Sequence, residues 1–443
     1  MTAVTTGPRP AVRSVPPSAT RSSVLTRPLA SYHLVLASTG LLLALGLVMV
    51  LSASSVRAYA TYGSSFAIAV RQGIFIAIGL PCLVVASRMP VTAWRRLGAP
   101  LLIVSLSLLV VVLVPGIGRN VDGATRWIAL PGGFNVQPSE LAKLGLALWG
   151  ADLLVRKTKL LGEWKHLLIP LVPVTVTIAA LVLLEPDMGT MMVVGSVMMA
   201  LLWVVGAPGR VFAALVAGAL ALVAVLAMAA PYRVARLTHF LDPCAAHQRL
   251  DGGFQACQGL LALSSGGWVG LGLGASREKW SGGLPNPYTD YVFAIIGEEL
   301  GLLGTLTVLL LFGTLTFAGI RIAKRSTDRF SRLAATGVTA WIASQALVNM
   351  GAVVGLLPIT GIPLPLISFG GSALVPTLVA IGMLLSFARR EPGAQAALAA
   401  RGNRLHAVVA RLRPAPTHAR HRAGGATASR HRAGGARASR ARR

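Results

Sequence analysis

Ten apolar runs of membrane-spanning length constrain this chain more than any other feature. They fall at about 34–53, 67–87, 98–115, 138–155, 167–184, 188–206, 211–229, 292–320, 333–356 and 369–388. A helix of about twenty apolar residues matches the hydrocarbon thickness of a bilayer, and backbone inside lipid must satisfy its own hydrogen bonds. The expected fold class is therefore an all-α polytopic membrane protein with about ten transmembrane helices and one large extracytoplasmic loop, 230–291, before the eighth. Composition agrees: 54% of the 443 residues are hydrophobic, 12% are charged, and the mean hydropathy is +0.69, which excludes an ordinary soluble protein. The first apolar run follows a Pro-, Ser-, Thr- and Arg-rich segment and reads as a retained signal anchor.

The formal charge of +27 does not imply nucleic acid, because much of it lies in the two tails and in short connections between apolar runs. Arg88, Arg95 and Arg96, then Arg156, Lys157, Lys159 and Lys165, then Arg210, then Arg321, Lys324, Arg325, Arg329 and Arg332 all fall on the side of the tails. By the positive-inside rule that side is the cytoplasm, so both termini are expected there, with the tails touching anionic lipid. Three regions result: a disordered basic tail over 1–33, a transmembrane domain over 34–390, and a low-complexity basic tail over 391–443, where His-Arg-Ala-Gly-Gly-Ala occurs at His421 and again at His431.

The unusual chemistry lies in the outer connections. Arg126 precedes Trp127 in the one after the third span, and Glu140 and Lys143 stand one turn apart at the outer end of the fourth span, which Pro138 and Ser139 open. That pair suits a structural ion pair and equally a role with Arg126 in binding phosphate. In Glu185-Pro-Asp187 the second acid is expected to cap the following helix. The long loop carries a glycine run over 264–274 with neither a Walker nor a dinucleotide signature. Its two cysteines, Cys244 and Cys257, show no metal-ligand spacing, and a disulfide and two buried thiols are both open. Asp290 ends the loop, as a helix N-cap or as a general base. Glu298 and Glu299 lie deeper and read as groups paired with cations of neighbouring helices. Gln345 and Asn349 are four apart and able to hydrogen-bond across helices. The Pro/Gly-rich stretch 358–372 suggests irregular backbone lining a polar cavity.

These blocks, in this order, resemble the SEDS family (shape, elongation, division and sporulation) of bacterial envelope proteins over about residues 34–390. The marks are Met49-Val-Leu-Ser-Ala-Ser54, Arg126-Trp-Ile128, Gln137-Pro-Ser-Glu-Leu-Ala-Lys143, Glu185-Pro-Asp-Met-Gly-Thr190, Phe240-Leu-Asp-Pro243, the glycine run, Leu284 to Gly301, and Thr360-Gly-Ile-Pro-Leu-Pro365 with Ser368-Phe-Gly-Gly-Ser372. Asp122, Phe254 and Ala373 depart from the usual residues and bear on substrate fit. The resemblance, closer to the division branch than the elongation branch, implies a peptidoglycan glycosyltransferase that polymerises lipid II into β-1,4 glycan with inversion. It would work at the outer face of the bacterial cytoplasmic membrane, at the septum, beside a class B penicillin-binding protein and other division proteins. It also implies Asp290 as the essential acid and Arg126, Glu140 and Lys143 as functional polar positions. Lys279, Ser368 and Ser372 complete the candidate substrate-binding set, and a divalent cation, Mg or Mn, is the one cofactor entertained. A lipid II flippase is the rival function. It is disfavoured because polar residues gather toward the outer face instead of marking a path through the bundle.

Overall fold

A computed structural model describes residues 29–121, 124–131, 134–160, 163–228, 243–245, 253–280 and 282–397. The tail through residue 28, Asp122, the Phe240-Leu-Asp stretch and the tail from 398 lie outside the described residues. The helices are α1 (Ala30–Tyr62), α2 (Ala67–Arg88), α3 (Val91–Val112), α4 (Pro138–Arg156), α5 (Trp164–Leu168), α6 (Leu171–Leu184), α7 (Met188–Val205), α8 (Gly209–Met228), α9 (Phe254–Ser265), α10 (Val292–Arg325), α11 (Arg329–Val353) and α12 (Gly371–Ala388). Each expected apolar run overlaps one of them. Among the described residues, seven helical stretches are long and apolar enough to cross a membrane: α1, α2, α3, Lys165–Leu184, α7, α10 and α12.

Packing follows from which helices bury more than one face. α4 is buried along most of its length and packs on α3, α7 and α11, while α11 also touches α10, and α12 lies along α2. α1 lies against α10. Exposed leucines and valines on α2, α3 and α10 mark the outside of the bundle, where lipid replaces water as the apolar solvent.

Two outer connections hold more structure than the sequence suggests. The one between α3 and α4 was expected as plain loop in an all-α chain and forms a three-stranded antiparallel sheet, β1 (Gly118–Val121), β2 (Ala124–Leu130) and β3 (Phe134–Val136). Its strands are too short to show periodicity, although an Asp-Gly pair at 122–123 is a hairpin signal. The large loop contains α9, and Cys244 and Cys257 are joined by a disulfide that ties the loop to the first turn of this helix. Of the two states left open for these cysteines, the structure has the bonded one.

The glycine run explains how α10 tolerates a break. At Gly301 the helix leaves helical geometry, with φ 66° and ψ −162°, freeing backbone groups that lipid cannot satisfy. The run takes them up: Leu271 N donates to Glu298 O (2.9 Å), Gly272 N to Glu299 O (3.0 Å), and Leu302 N and Leu303 N donate to the carbonyls of Gly267 (2.9 Å) and Trp268 (3.2 Å). A Cβ on Gly301 would meet the backbone of Gly270 and Trp268, and only glycine adopts this backbone region readily. Gly301→Ala is expected to lose about 1–3 kcal/mol of stability. Gly313→Ala, on the same helix with nothing within 4 Å of its Cβ position, should be neutral or slightly stabilising. Thermal unfolding of the two variants in one detergent checks this.

Candidate active site

Arg126 reaches the site through a sheet irregularity. In the β1–β2 register Arg119 faces Trp127 and Asn120 faces Thr125, which leaves Arg126 as the extra residue of a bulge. Bulges re-aim side chains and cluster near active sites. Here the guanidinium points across to the α6–α7 turn: Nε donates to Glu185 O (3.1 Å), Nη2 to Pro186 O (2.5 Å), and Nη1 lies 3.7 Å from Asp187 Oδ2. Asp187 also caps α7, as expected, accepting from Thr190 N and Thr190 Oγ1 at 2.9 Å each.

Asp290 comes to the same place from the other end of the chain. It sits two residues before α10, whose N-cap is Tyr291, so the N-cap reading is not realised. Its Oδ1 accepts from Thr289 Oγ1 (2.9 Å), and its main-chain oxygen accepts from Asn349 Nδ2 on α11 (2.8 Å). The segment 358–368 runs beside both Asp290 and Arg126 at Gly361. The point a Cβ would occupy on Gly361 is 3.8 Å from Arg126 Nη1 and 4.0 Å from Asp290 Oδ2, so carboxylate and guanidinium both border the space that a side chain there would fill. Gly189, at the start of α7, lets this segment approach closely, since a Cβ there would stand 2.7 Å from Thr360 Cβ. Asp290, Asn349, Thr360 and Gly361 share the lining of one small cavity.

Glu140 and Lys143 are drawn inside. Lys143 is 1% exposed; Nζ donates to Glu140 Oε1 (2.8 Å) and Gln345 Oε1 (2.7 Å) and lies 5.1 Å from the centre of the Trp341 ring. Gln345 then donates to Pro363 O (3.1 Å), which connects the buried pair to the segment that carries Gly361. Of the two readings, structural pairing is the geometry present, and Lys143 does not stand at the outer mouth beside Arg126.

The remaining candidates lie apart. Lys279 is buried, bonded to Gly274 O and 3.5 Å from Glu299 Oε1. Glu299 also accepts from Ser52 Oγ on α1 (2.7 Å), and Glu298 from Ser276 Oγ (2.5 Å) and Arg277 N (2.7 Å). The expected partner cations on neighbouring helices are thus replaced by one lysine, hydroxyls and amides of the loop. Ser368 Oγ accepts from Leu364 N (2.8 Å), a bond within its own turn, and Ser372 is half-buried in the first turn of α12. Among the described residues no three His, Cys, Asp or Glu gather as potential metal ligands.

Sequence reasoning assigned no role to Glu185. Fully buried in the α6–α7 turn, with neither carboxylate oxygen hydrogen-bonded, it has its pKa pushed up to about 8 by burial and then by Asp187, with Arg126 pulling the other way. Between 4.5 and about 8 the folded protein keeps this proton and the unfolded chain does not. Stability should therefore fall as pH rises through that window, and Glu185→Gln should flatten the slope, as measured by unfolding temperature against pH. Lys143→Ala, which strands Glu140 in the interior, should cost about 3–5 kcal/mol, and the double variant Glu140→Gln, Lys143→Met should recover most of it in the same thermal measurement.

A family model described as "Cell cycle protein", covering FtsW, RodA and SpoVE, matches residues 32–392. FtsW of Mycobacterium tuberculosis, described as a probable peptidoglycan glycosyltransferase, is 43% identical over 376 residues, 85% of this chain and 71% of that one. Stage V sporulation protein E of Bacillus subtilis is 38% identical over 79% of this chain and 95% of its own length. Among solved structures, a chain from work on the structural coordination of polymerization and crosslinking by a peptidoglycan synthase complex has a TM-score of 0.66 at 28% identity, over 80% of this chain and 97% of that one. RodA of Thermus thermophilus has a TM-score of 0.58 at 28% identity, over 81% and 96%. With a match along nearly all of its helical part and relatives this similar, the chain belongs to the FtsW/RodA/SpoVE family of cell cycle proteins.

Proposed function

We propose that this protein is a peptidoglycan glycosyltransferase, the activity for which its FtsW relatives are named, with lipid II as substrate and Asp290 as general base. The observation that carries the reading is the convergence of Asp290 and Arg126 on the open space beside Gly361, with the half-buried Asp290 carboxylate at the head of α10. A carboxylate so placed takes the proton of the acceptor sugar's C4 hydroxyl as that oxygen attacks the anomeric carbon of the donor. The bond from that carbon to the lipid pyrophosphate breaks on the opposite face, giving a β-1,4 link with inversion and releasing polyprenyl pyrophosphate. Arg126, 14% exposed, is the cation placed to stabilise the departing charge.

Glu140, Lys143, Lys279 and Ser368 act as structural supports, since Lys143 is held by Glu140 Oε1 and Gln345, Lys279 by Glu299, and Ser368 Oγ by Leu364 N. Ser372, at the start of α12, is the candidate with room to meet substrate. The likeness to a chain of a peptidoglycan synthase complex supports a crosslinking partner of the class B penicillin-binding type. Basic residues at the inner ends of the helices support cytoplasmic termini, and the similarity to FtsW supports work at the septum.

Reconstitution with lipid II, with and without the cognate penicillin-binding protein, tests the reading, with glycan strands scored by gel. Asp290→Asn should fold, bind its partner and lose about 10²–10⁴-fold in polymerisation rate. Folded, partner-bound Asp290→Asn protein that polymerises at the normal rate would remove Asp290 from the role of base.

A further inference from the structure

We infer that Asn349 is a positioning residue for Asp290, which rests on the reading of Asp290 as the base. Asn349 is 2% exposed on α11. Its amide nitrogen has two hydrogens to give, and both are used: Nδ2 donates to the main-chain oxygen of Asp290 and to that of Ile362, each at 2.8 Å. These carbonyls belong to the two chain segments that face each other across the cavity, one carrying the carboxylate and the other carrying Gly361. A single side chain thus ties the backbone of Asp290 to the segment that carries Gly361.

The acceptor end of the same side chain completes the argument. Oδ1 is buried without a partner, on a residue that lines the cavity with Asp290 and Thr360. Buried polar groups are nearly always matched, and an unmatched one in a cavity wall suits a ligand hydroxyl or a water. One turn earlier Gln345 donates to Pro363 O but spends its own acceptor on Lys143 and Trp341. The two amides therefore divide the work: Gln345 anchors the segment to the interior, and Asn349 registers it against the base. No other common side chain of this size gives two donors from one atom. Leucine fills the volume without donors, aspartate sets a carboxylate against two carbonyls, and serine keeps one donor.

A graded series tests this in the full-length protein bound to its partner, with kcat, KM for lipid II and unfolding temperature measured for each variant. Asn349→Leu strands two buried carbonyls, so it should unfold earlier than wild type, keep its KM and lose about tenfold or more in kcat, and Asn349→Ser should recover part of that rate without recovering the unfolding temperature, since it leaves a cavity. Activity would then follow donor number where stability does not. If Asn349→Leu fails to fold, Asn349→Asp against Asn349→Ser gives the same contrast, with Asp the slower. Wild-type kcat in the donor-free variants, or rates that simply track unfolding temperature, would overturn the assignment. Asp290→Asn belongs in the same assay. A graded Asn349 series beside a fully active Asp290→Asn would mean that Asn349 serves something other than Asp290.

Discussion

The candidate site depends on keeping a stretch of irregular backbone, residues 358–368, hydrogen-bonded inside a helical bundle. Such a stretch is tolerated at membrane depth only where protein or cavity supplies the missing partners. Pro358, Pro363 and Pro365 reduce the demand because they have no N–H to satisfy. The carbonyls that remain are met by side-chain amides. Asn349 takes Ile362, Gln345 takes Pro363, and Gln72 on α2 takes Ser368 at 3.3 Å. Ser368 Oγ closes the turn by accepting from Leu364 N, and Phe369 N donates to Tyr288 O, two residues before Asp290. The segment is thus held by α11, α2 and the stretch leading into α10, and Asn349 joins it to Asp290.

The same constraint explains why the charges of the outer half behave so differently. Glu298 and Glu299 lie beside the break in α10, where they collect hydroxyls, amides and Lys279 and fasten the glycine run to the helix. Lys143 and Glu140 neutralise each other and support Gln345. Two buried charges brought together cost less than either alone, and each pair braces a segment of unusual backbone. Asp290 and Arg126 instead border the space beside Gly361 that a side chain there would fill, and Asp290 shares a small cavity with Asn349 and Thr360.

Much of this was legible in the chain. The apolar runs and the cap at Asp187 are local features: hydropathy over twenty residues and an acid before a helix. Other features were not legible for definite physical reasons. The strands around Arg126 are too short for periodicity, and a bulge depends on the register of two strands, which neither encodes alone. The direction of Lys143 depended on Gln345 and Trp341, two hundred positions away in the chain, offering an acceptor and a ring face. Glu185 looked like one acid of a turn, and its burial is visible only once the turn is packed.

The sequence by itself determined that the chain is a helical membrane protein and which acid is set apart at the end of its longest loop, because hydrophobic length and the cost of charge in lipid act on each segment separately. Only the tertiary structure decided that Arg126 and Asp290 share one glycine, that Lys143 faces inward, and that Asn349 grips both walls of the cavity. Those outcomes rest on hydrogen bonds between segments distant in the chain, whose partners exist only after the helices have packed.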